Sequence, residues 1–392
     1  MLPLIRSAQR FFHPAPGTSK RVVRRIVGLA GLAGLVGLAG CYGHDHFFIA
    51  QQPIVNNALW VANGTNVVEF LPSQLTNGTS APAPHLTLAS TVFGAPQGVA
   101  FDGFGDLWVI DGGNIASGGT AMPAVYEFTV QQLSNLSKNN APAPAVTIQS
   151  TSFKFPQQAA FDGRGNLWVS DSGSNAVYVF LRSQLTASSP TAVPETIMTS
   201  STAFSGPIGI AFDRGGDLFV ANNGGNTIYG FKASSLPNLN VMSEVTTPNG
   251  PPPTPVTPTV MLSSSSNSIQ GPWGLAFDGF GNLWSSNAGA ANTVVEFTRS
   301  QIAATGSPTP NITLASATVS SNATLVSPTG IGFDAFGDLA AVSSAAPFGV
   351  AGFGPEQLRT NPTSAPTPDV FLVGSATTLS APTGVTFGPA FE

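Results

Sequence analysis

The sequence predicts an all-β fold: a six-bladed β-propeller of four-stranded antiparallel blades, closed into a ring by pairing of its N- and C-terminal segments. Three observations predict it. One unit recurs five times along the chain, each copy holds four short apolar runs separated by turn residues, and the two ends carry complementary parts of a sixth copy.

The five copies open as PQGVAFDGFGDLWVID, PQQAAFDGRGNLWVSD, PIGIAFDRGGDLFVAN, PWGLAFDGFGNLWSSN and PTGIGFDAFGDLAAVS. The Asp after Phe falls at 102, 162, 213, 278 and 334, a spacing of 51 to 65 residues, which is the range of propeller blades or arrays. The first strand mixes Gly and Ala with larger residues, as expected where blades crowd an axis. The second strand carries Trp60, Trp108, Trp168, Phe219 and Trp284 farther out, where the wedge widens. Both strands read as apolar runs rather than strict alternation, as sheets covered on two faces do. A Gly/Asn turn and a third strand follow (NAVYVF, NTIYGF, NTVVEF), then a short RSQL-like segment, a Pro-rich connection and a fourth strand such as HLTLAST or NITLASA. Pro ahead of the fourth strand suits an outer edge. The segment 58–75 begins at a second strand, and 382–392 is a first strand with nothing after it. Joining them completes the ring and removes an open sheet edge.

Between first and second strands lies the FDGxGNLW element. Gly there supplies positive φ, and Asp accepts turn N–H bonds. Asp102, Asp162, Asp213, Asp278 and Asp334 are therefore expected to be structural turn residues. Spread around a ring, they cannot converge on one metal ion as a cation site requires. The opposite face carries the candidate ligand-binding rim: Asn63, Asp111, Asp171, Asn222 and Asn287 after second strands, and Gln97, Gln157 and Trp273 after the Pro that opens a first strand. Amides, two carboxylates and an indole suit a polar ligand such as a sugar, although Asp and Asn at these places also cap turns. Two connections are unusually long, 112–124 on this rim and 237–258 on the other face, and either is a place for a partner or tolerated filler.

These repeats resemble the NHL family of β-propellers; PQQAAFDGRGNLWVSDSGSNAVYVF (156–180) is the closest copy, with its Gly-Asn-Leu and Asn-x-Val pattern. The resemblance implies the propeller fold over 54–392. It implies no single activity, because NHL-like propellers include lyases, lactonase relatives, sensor domains and plain binding modules.

The N-terminal end specifies an address. Six of the fourteen basic residues precede Cys41, with no acidic residue among them. KRVVRR is followed by IVGLAGLAGLVGLAG and the lone cysteine, a charged and then apolar pattern too short to span a bilayer comfortably. Leu38, Ala39, Gly40 and Cys41 match the bacterial lipobox. That resemblance implies a signal peptide over 1–40, lipidation of Cys41, and a tether over 41–53. Tyr42, where an inner-membrane retention signal places Asp, points to the outer membrane or cell surface. From Cys41 onward the chain has 8 basic and 19 acidic residues, a net charge of −11, which excludes an electrostatic nucleic-acid binder. Only 8% of residues are charged, against about 25% in an average soluble domain.

Catalytic readings lack parts. Lyase-type propellers use His, and from Cys41 on only His44, His46 and His85 are present, the first two in an HDH tether sequence. No Ser-His pairing or phosphate loop is recognisable. The expected protein is a lipid-anchored, monomeric, non-catalytic envelope propeller that binds a polar ligand or an envelope protein. Two alternatives stand beside it: a metal-dependent lactonase or lyase using Asp111, Asp171, Asn222 and Asn287, and an envelope-assembly partner working through the Pro-rich loops. No cofactor is predicted, and a divalent cation at the central tunnel would favour the enzyme.

Overall fold

In the computed structural model the described residues are 58–136, 141–200, 204–237, 239, 251–264, 268–359 and 365–391. The expected leader, Cys41 and the expected tether lie outside them. Six blades stand in a ring; blades II to VI have their first four strands in sequence order from axis to outside, and blade I has the last strand of the chain innermost. Blade I combines Pro382–Gly388 with Ala58–Asn63, Asn66–Phe70 and Leu86–Leu88. Blade II holds Pro96–Phe101, Leu107–Asp111, Ala124–Phe128 and Val146–Gln149. Blade III holds Pro156–Phe161, Leu167–Asp171, Ala176–Phe180 and Thr196–Ser200. Blade IV is built from Pro207–Phe212, Leu218–Asn222, Thr227–Phe231 and Val260–Leu262. Blade V takes Pro272–Phe277, Leu283–Asn287, Thr293–Phe297 and Ile312–Ala315. Blade VI takes Pro328–Phe333, Leu339–Ser343, Gly349–Phe353 and Val370–Val373.

The apolar runs have a direct cause. Successive residues of a second strand enter different cores: Leu107 and Val109 face the core between blades I and II, and Trp108 and Ile110 face the one between II and III. Six such cores lie between six pairs of neighbours. One contact recurs in them: the second-strand aromatic meets the inner-strand Phe of the next blade edge to face. The pairs are Trp60–Phe101, Trp108–Phe161, Trp168–Phe212, Phe219–Phe277 and Trp284–Phe333, with centroids 5.4–5.9 Å apart, the geometry favoured by ring quadrupoles. Trp and Phe of the FDGxGNLW element thus bond across blades as well as within one.

At the axis, the third residue of each inner strand is Gly98, Gln158, Gly209, Gly274, Gly330 or Gly384. A Cβ on Gly209 would stand 2.1 Å from the Trp273 carbonyl oxygen, and one on Gly274 2.5 Å from that of Thr329. Inner strands of adjacent blades therefore touch backbone to backbone. Gln158 alone projects a side chain here, and its Nε2 donates to the Gln97 carbonyl at 3.3 Å.

Closure joins the chain ends: Leu59 pairs with Phe387 and Val61 with Val385, antiparallel. The last inner strand ends in Phe-Gly rather than Phe-Asp, so the carboxylate that receives the Trp indole in blades II, III and V is missing. The tail replaces it. The Trp60 indole donates to the Pro389 carbonyl at 3.2 Å, and the Phe391 N–H donates to Glu69 Oε1 at 3.2 Å. Glu69 is fully buried and its Oε2 has no partner. Burial raises its pKa from 4.5 to about 7, against the lowering effect of the Phe391 N–H. The folded state then holds a proton the unfolded state has lost, so stability falls as pH rises from about 4.5 to about 7. Glu69→Gln is expected to flatten that part of a urea-midpoint-against-pH curve; an unchanged slope would show that Glu69 is not its source.

The outer edges depart from a plain four-stranded blade. Thr254–Val256, from the connection ahead of blade IV's outer strand, pairs in parallel with the outer strand of blade III. Gly78–Ser80, from the equivalent connection of blade I, pairs in parallel with that of blade VI. Single parallel bridges repeat the arrangement between Ile148 and Ser189 and between Leu262 and Gly306. Each strap covers the open edge of the preceding blade, so the edge is not left as a template for another chain. The RSQL-type Gln anchors the strap's root. Gln184 accepts from the Leu181 N–H and donates to the Val193 carbonyl, both at 2.8 Å; Gln74, Gln132, Gln301 and Gln357 do the same in their blades. Part of the long 237–258 connection is therefore an edge strand.

Candidate functional site

The ring has two working faces. One carries the first-to-second hairpins, the third-to-fourth connections, the entry at Ala58 and the exit after Gly388; it is called the hairpin face below. The other, the rim face, carries the second-to-third loops and the entries to the inner strands.

On the hairpin face each turn aspartate is occupied. Asp162 Oδ1 accepts from the N–H groups of Arg164 and Asn166 at 2.9 and 3.0 Å, and Oδ2 from the Asn166 amide and the Trp168 indole at 2.9 and 3.1 Å. Asp278 repeats the set with Phe280, Asn282 and Trp284, and Asp102 receives Phe104, Asp106 and Trp108. Asp213 receives the N–H groups of Gly215 and Asp217, and Asp334 those of Phe336 and Asp338. The turn needs a left-handed residue, which Gly105, Gly165, Gly216, Gly281 and Gly337 supply with φ between 79° and 84°. Asp162→Ala strands a buried indole N–H as well as turn N–H groups, whereas Phe219 presents no indole to Asp213. We expect Asp162→Ala to cost about 2 kcal/mol and Asp213→Ala less, read as urea midpoints; equal losses would remove the indole from the account.

On the rim face the five second-strand residues turn inward. Asp111 accepts from the N–H groups of Gly94, Ala95 and Gly113 at 2.7–2.9 Å, and Asp171 from those of Lys154, Phe155 and Ser174 at 2.8–3.0 Å. Asn222 accepts from Ser205 and Asn287 from Gln270, while Asn63 accepts from Ser380 and Ala381 across the chain closure. Ser343, absent from the sequence expectation, holds the sixth place with the Val326 N–H. All six are buried, at most 2% exposed. Within blades the partner lies seventeen residues upstream, where the chain enters the inner strand with bare N–H groups. Burial raises the Asp111 pKa, and its three backbone donors oppose the rise. These six residues, one per blade, are thus engaged with the backbone that leads into the inner strands.

The other three rim candidates differ in setting. Gln157 is buried and donates to Ser172 Oγ at 3.0 Å, Trp273 is buried, and Gln97 is half-buried with its amide on the Ala95 carbonyl at 3.2 Å. Neighbouring blades are tied here by a further set. Asn175, Asn226 and Asn292, all with positive φ, accept from the N–H groups of Gly206, Gly271 and Ser327 of the next blade.

The central channel narrows to a cavity of about 20 Å³ lined by Gln158, glycines, Ile210, Leu275, Ile331 and Val385, room for about one water molecule. Its one polar side chain is an amide, and no carboxylate lines it. Among the described residues, the carboxylates whose oxygens lie within 4.8 Å of one another are Asp102, Asp106 and Glu127, on the hairpin face. Burial, with Asp106 and Asp102 adding to it, raises the Glu127 pKa to about 7. Asp102 is spent on its turn and Asp106 accepts from the Val130 N–H at 2.7 Å. A cleft of about 440 Å³ lies on the same face between blades III and IV, over the Trp168–Phe212 pair. His85 Nε2 lies 2.8 Å from the Phe391 carbonyl oxygen, at the chain closure.

No protein-family model and no curated protein sequence matches the chain. Solved structures are similar to it in fold. A Bacteroides caccae protein of unknown function aligns with 86% of this chain and 100% of its own at 9% identity, with a TM-score of 0.55. Virginiamycin B lyase from Staphylococcus aureus covers 69% of each chain at 12% identity, with a TM-score of 0.44. A Bacteroides fragilis protein provisionally described as a 6-phosphogluconolactonase aligns over 85% of this chain and 98% of its own at 13% identity, with a TM-score of 0.48. At these identities the likeness carries no activity with it.

Proposed function

We propose that this chain is an NHL-like binding and scaffolding propeller of the bacterial cell envelope, non-catalytic and held to its membrane through a lipid on Cys41. One observation carries the binding part. On the rim face, Ile115 and Met122 of the 112–124 loop and Phe155 beside the root of that loop are 47%, 48% and 39% exposed. Phe155 and Gln97 both pack against Gly112, where the loop begins. Apolar side chains with an amide at their edge fit a protein partner better than a sugar, which needs converging polar groups. The polar rim residues support the same reading, because their donors and acceptors already serve the fold.

The test is in vivo photo-crosslinking from a probe at position 119, with and without Ile115→Ser and Met122→Ser. A discrete crosslinked envelope protein that disappears in the double variant, with unchanged melting temperature, is the expected result. A crosslink that survives both substitutions would overturn the surface. For the anchor, Cys41→Ser is expected to leave the protein unprocessed or released, because stable anchoring rests on acyl chains at about 0.8 kcal/mol per buried CH₂. A variant that still fractionates with membranes at the mature size would sink the lipoprotein reading.

A further inference from the structure

The hairpin face has a composition that neither the fold nor the binding surface explains. The tip residue of each first-to-second hairpin is Phe104 in blade II, Arg164 in III, Phe280 in V and Phe336 in VI, and Arg214 stands on the tip in blade IV. The three phenylalanines are 62%, 74% and 65% exposed, more than any other large apolar residue described, and both arginines are exposed. Scattered exposed apolar residues are ordinary, but these occupy one structural position in a repeated turn. The turns share their length, their aspartate cap and their left-handed glycine, so the tips stand at one level around the ring. The aspartates beneath them are only partly exposed and bond inward. Arg182 lies over the Phe104 ring at 5.0 Å, adding a cation beside an aromatic.

The sixth place in the ring of tips has no hairpin. There the chain enters the propeller at Ala58, and the tail leaves it after Gly388. The 57 residues that precede Ala58 include the uninterrupted small and apolar run 26–40 and Cys41. The face that displays the phenylalanines is therefore the face at which the chain enters the propeller, at Ala58.

We propose that the hairpin face seats on the lipid surface, with Phe104, Phe280 and Phe336 entering the interfacial layer and Arg164 and Arg214 reaching the phosphates beside them. This deepens the anchored reading above and rests on it. A lipid surface is flat, and three tips placed in blades II, V and VI define a plane that such a surface meets at once. Phenylalanine is among the apolar side chains that insert into this layer and attachment strength scales with the apolar area inserted, while long cationic side chains keep their heads at its polar level. Seating this face turns the loop of Ile115 and Met122 away from the bilayer.

The experiment uses the full chain in phosphatidylcholine vesicles with brominated acyl chains, which quench indoles at short range. The native tryptophans are buried, 0–8% exposed, and give the background. Phe280→Trp is expected to lose most of its added emission to brominated lipid, and Ile115→Trp, on the opposite face, to keep it. Quenching at both positions, at neither, or at Ile115→Trp alone overturns the proposal. So does a blue-shifted Phe280→Trp emission without lipid, because a second copy would then be covering the tip. Cys41→Ser separates the two readings. If it floats with vesicles as the native chain does while Phe280→Trp is quenched, the lipid anchor fails and the seated face stands. If the native chain floats through Cys41 but Phe280→Trp is unquenched, the anchor stands and the seated face fails.

Discussion

A chain lacking residues 382–392 is expected to aggregate or to melt far below the native protein, unlike one trimmed at an ordinary terminus. The deleted segment is the innermost strand of blade I, paired with Ala58–Asn63 across its length. Val385 is buried, at about 1.5–3 kcal/mol for such a side chain, and Phe387 packs against the core between blades VI and I. Trp60 loses the carbonyl that receives its indole, and the Glu69 carboxylate loses the Phe391 N–H. The strand Ala58–Asn63 becomes an open edge of fully buried residues. Against a typical net stability of about 5–15 kcal/mol, these losses together are decisive. Phe336→Ala, at an exposed tip, is the mild control. Size-exclusion chromatography with a thermal scan checks the result, and a monomer melting near the native temperature would mean that the chain ends do not hold the ring.

Gly209→Ala is expected to be the most damaging single methyl in the molecule's interior. The added carbon would stand 2.1 Å from the Trp273 carbonyl oxygen and 3.0 Å from the Leu275 nitrogen. Both obstacles are backbone of the next blade, so relief requires blades IV and V to separate at the axis. Overpacking of a close-packed core costs about 1–3 kcal/mol and sometimes more; this site belongs at the upper end because no flexible side chain can give way. Gly163→Ala is the paired control, with nothing within 4 Å of the new carbon. A Gly209→Ala midpoint equal to that of Gly163→Ala would show that the inner strands are not in backbone contact.

The ring was legible because its signal repeats. Phe, Asp, Gly and Trp recur at fixed offsets, and the structure gives each a contact that needs that offset: Phe to the previous blade's Trp, Asp to its own. The straps were not legible. Gly78–Ser80 and Thr254–Val256 are three residues each, carry no hydrophobic period, and include Pro255, which reads as a loop. Their parallel pairing follows only from which blade is next door. The internal bonds of the rim were not legible for a different reason. An Asp or Asn after a second strand looks the same in sequence whether it faces solvent or caps a loop. The available signal was the constant seventeen-residue step from Gly94 to Asp111, Lys154 to Asp171 and Ser205 to Asn222, which is the mark of a repeated internal bond. Ser343 hid because it keeps the bond and changes the side-chain class. Phe104, Phe280 and Phe336 were in plain view as part of a motif, and only their exposure separates them from the core phenylalanines.

The entry of the chain at a second strand rather than an edge has a mechanical consequence. Ala58–Asn63 lies between Pro382–Gly388 and Asn66–Phe70, antiparallel to both. Tension applied through the preceding residues acts along this strand from its first residue. Such a load shears two ladders at once instead of peeling one bond after another, and the hydrogen bonds on both flanks resist it together. The ring is gripped from its second rank of strands, so a pull on its N-terminal side is opposed directly by the tail that closes it.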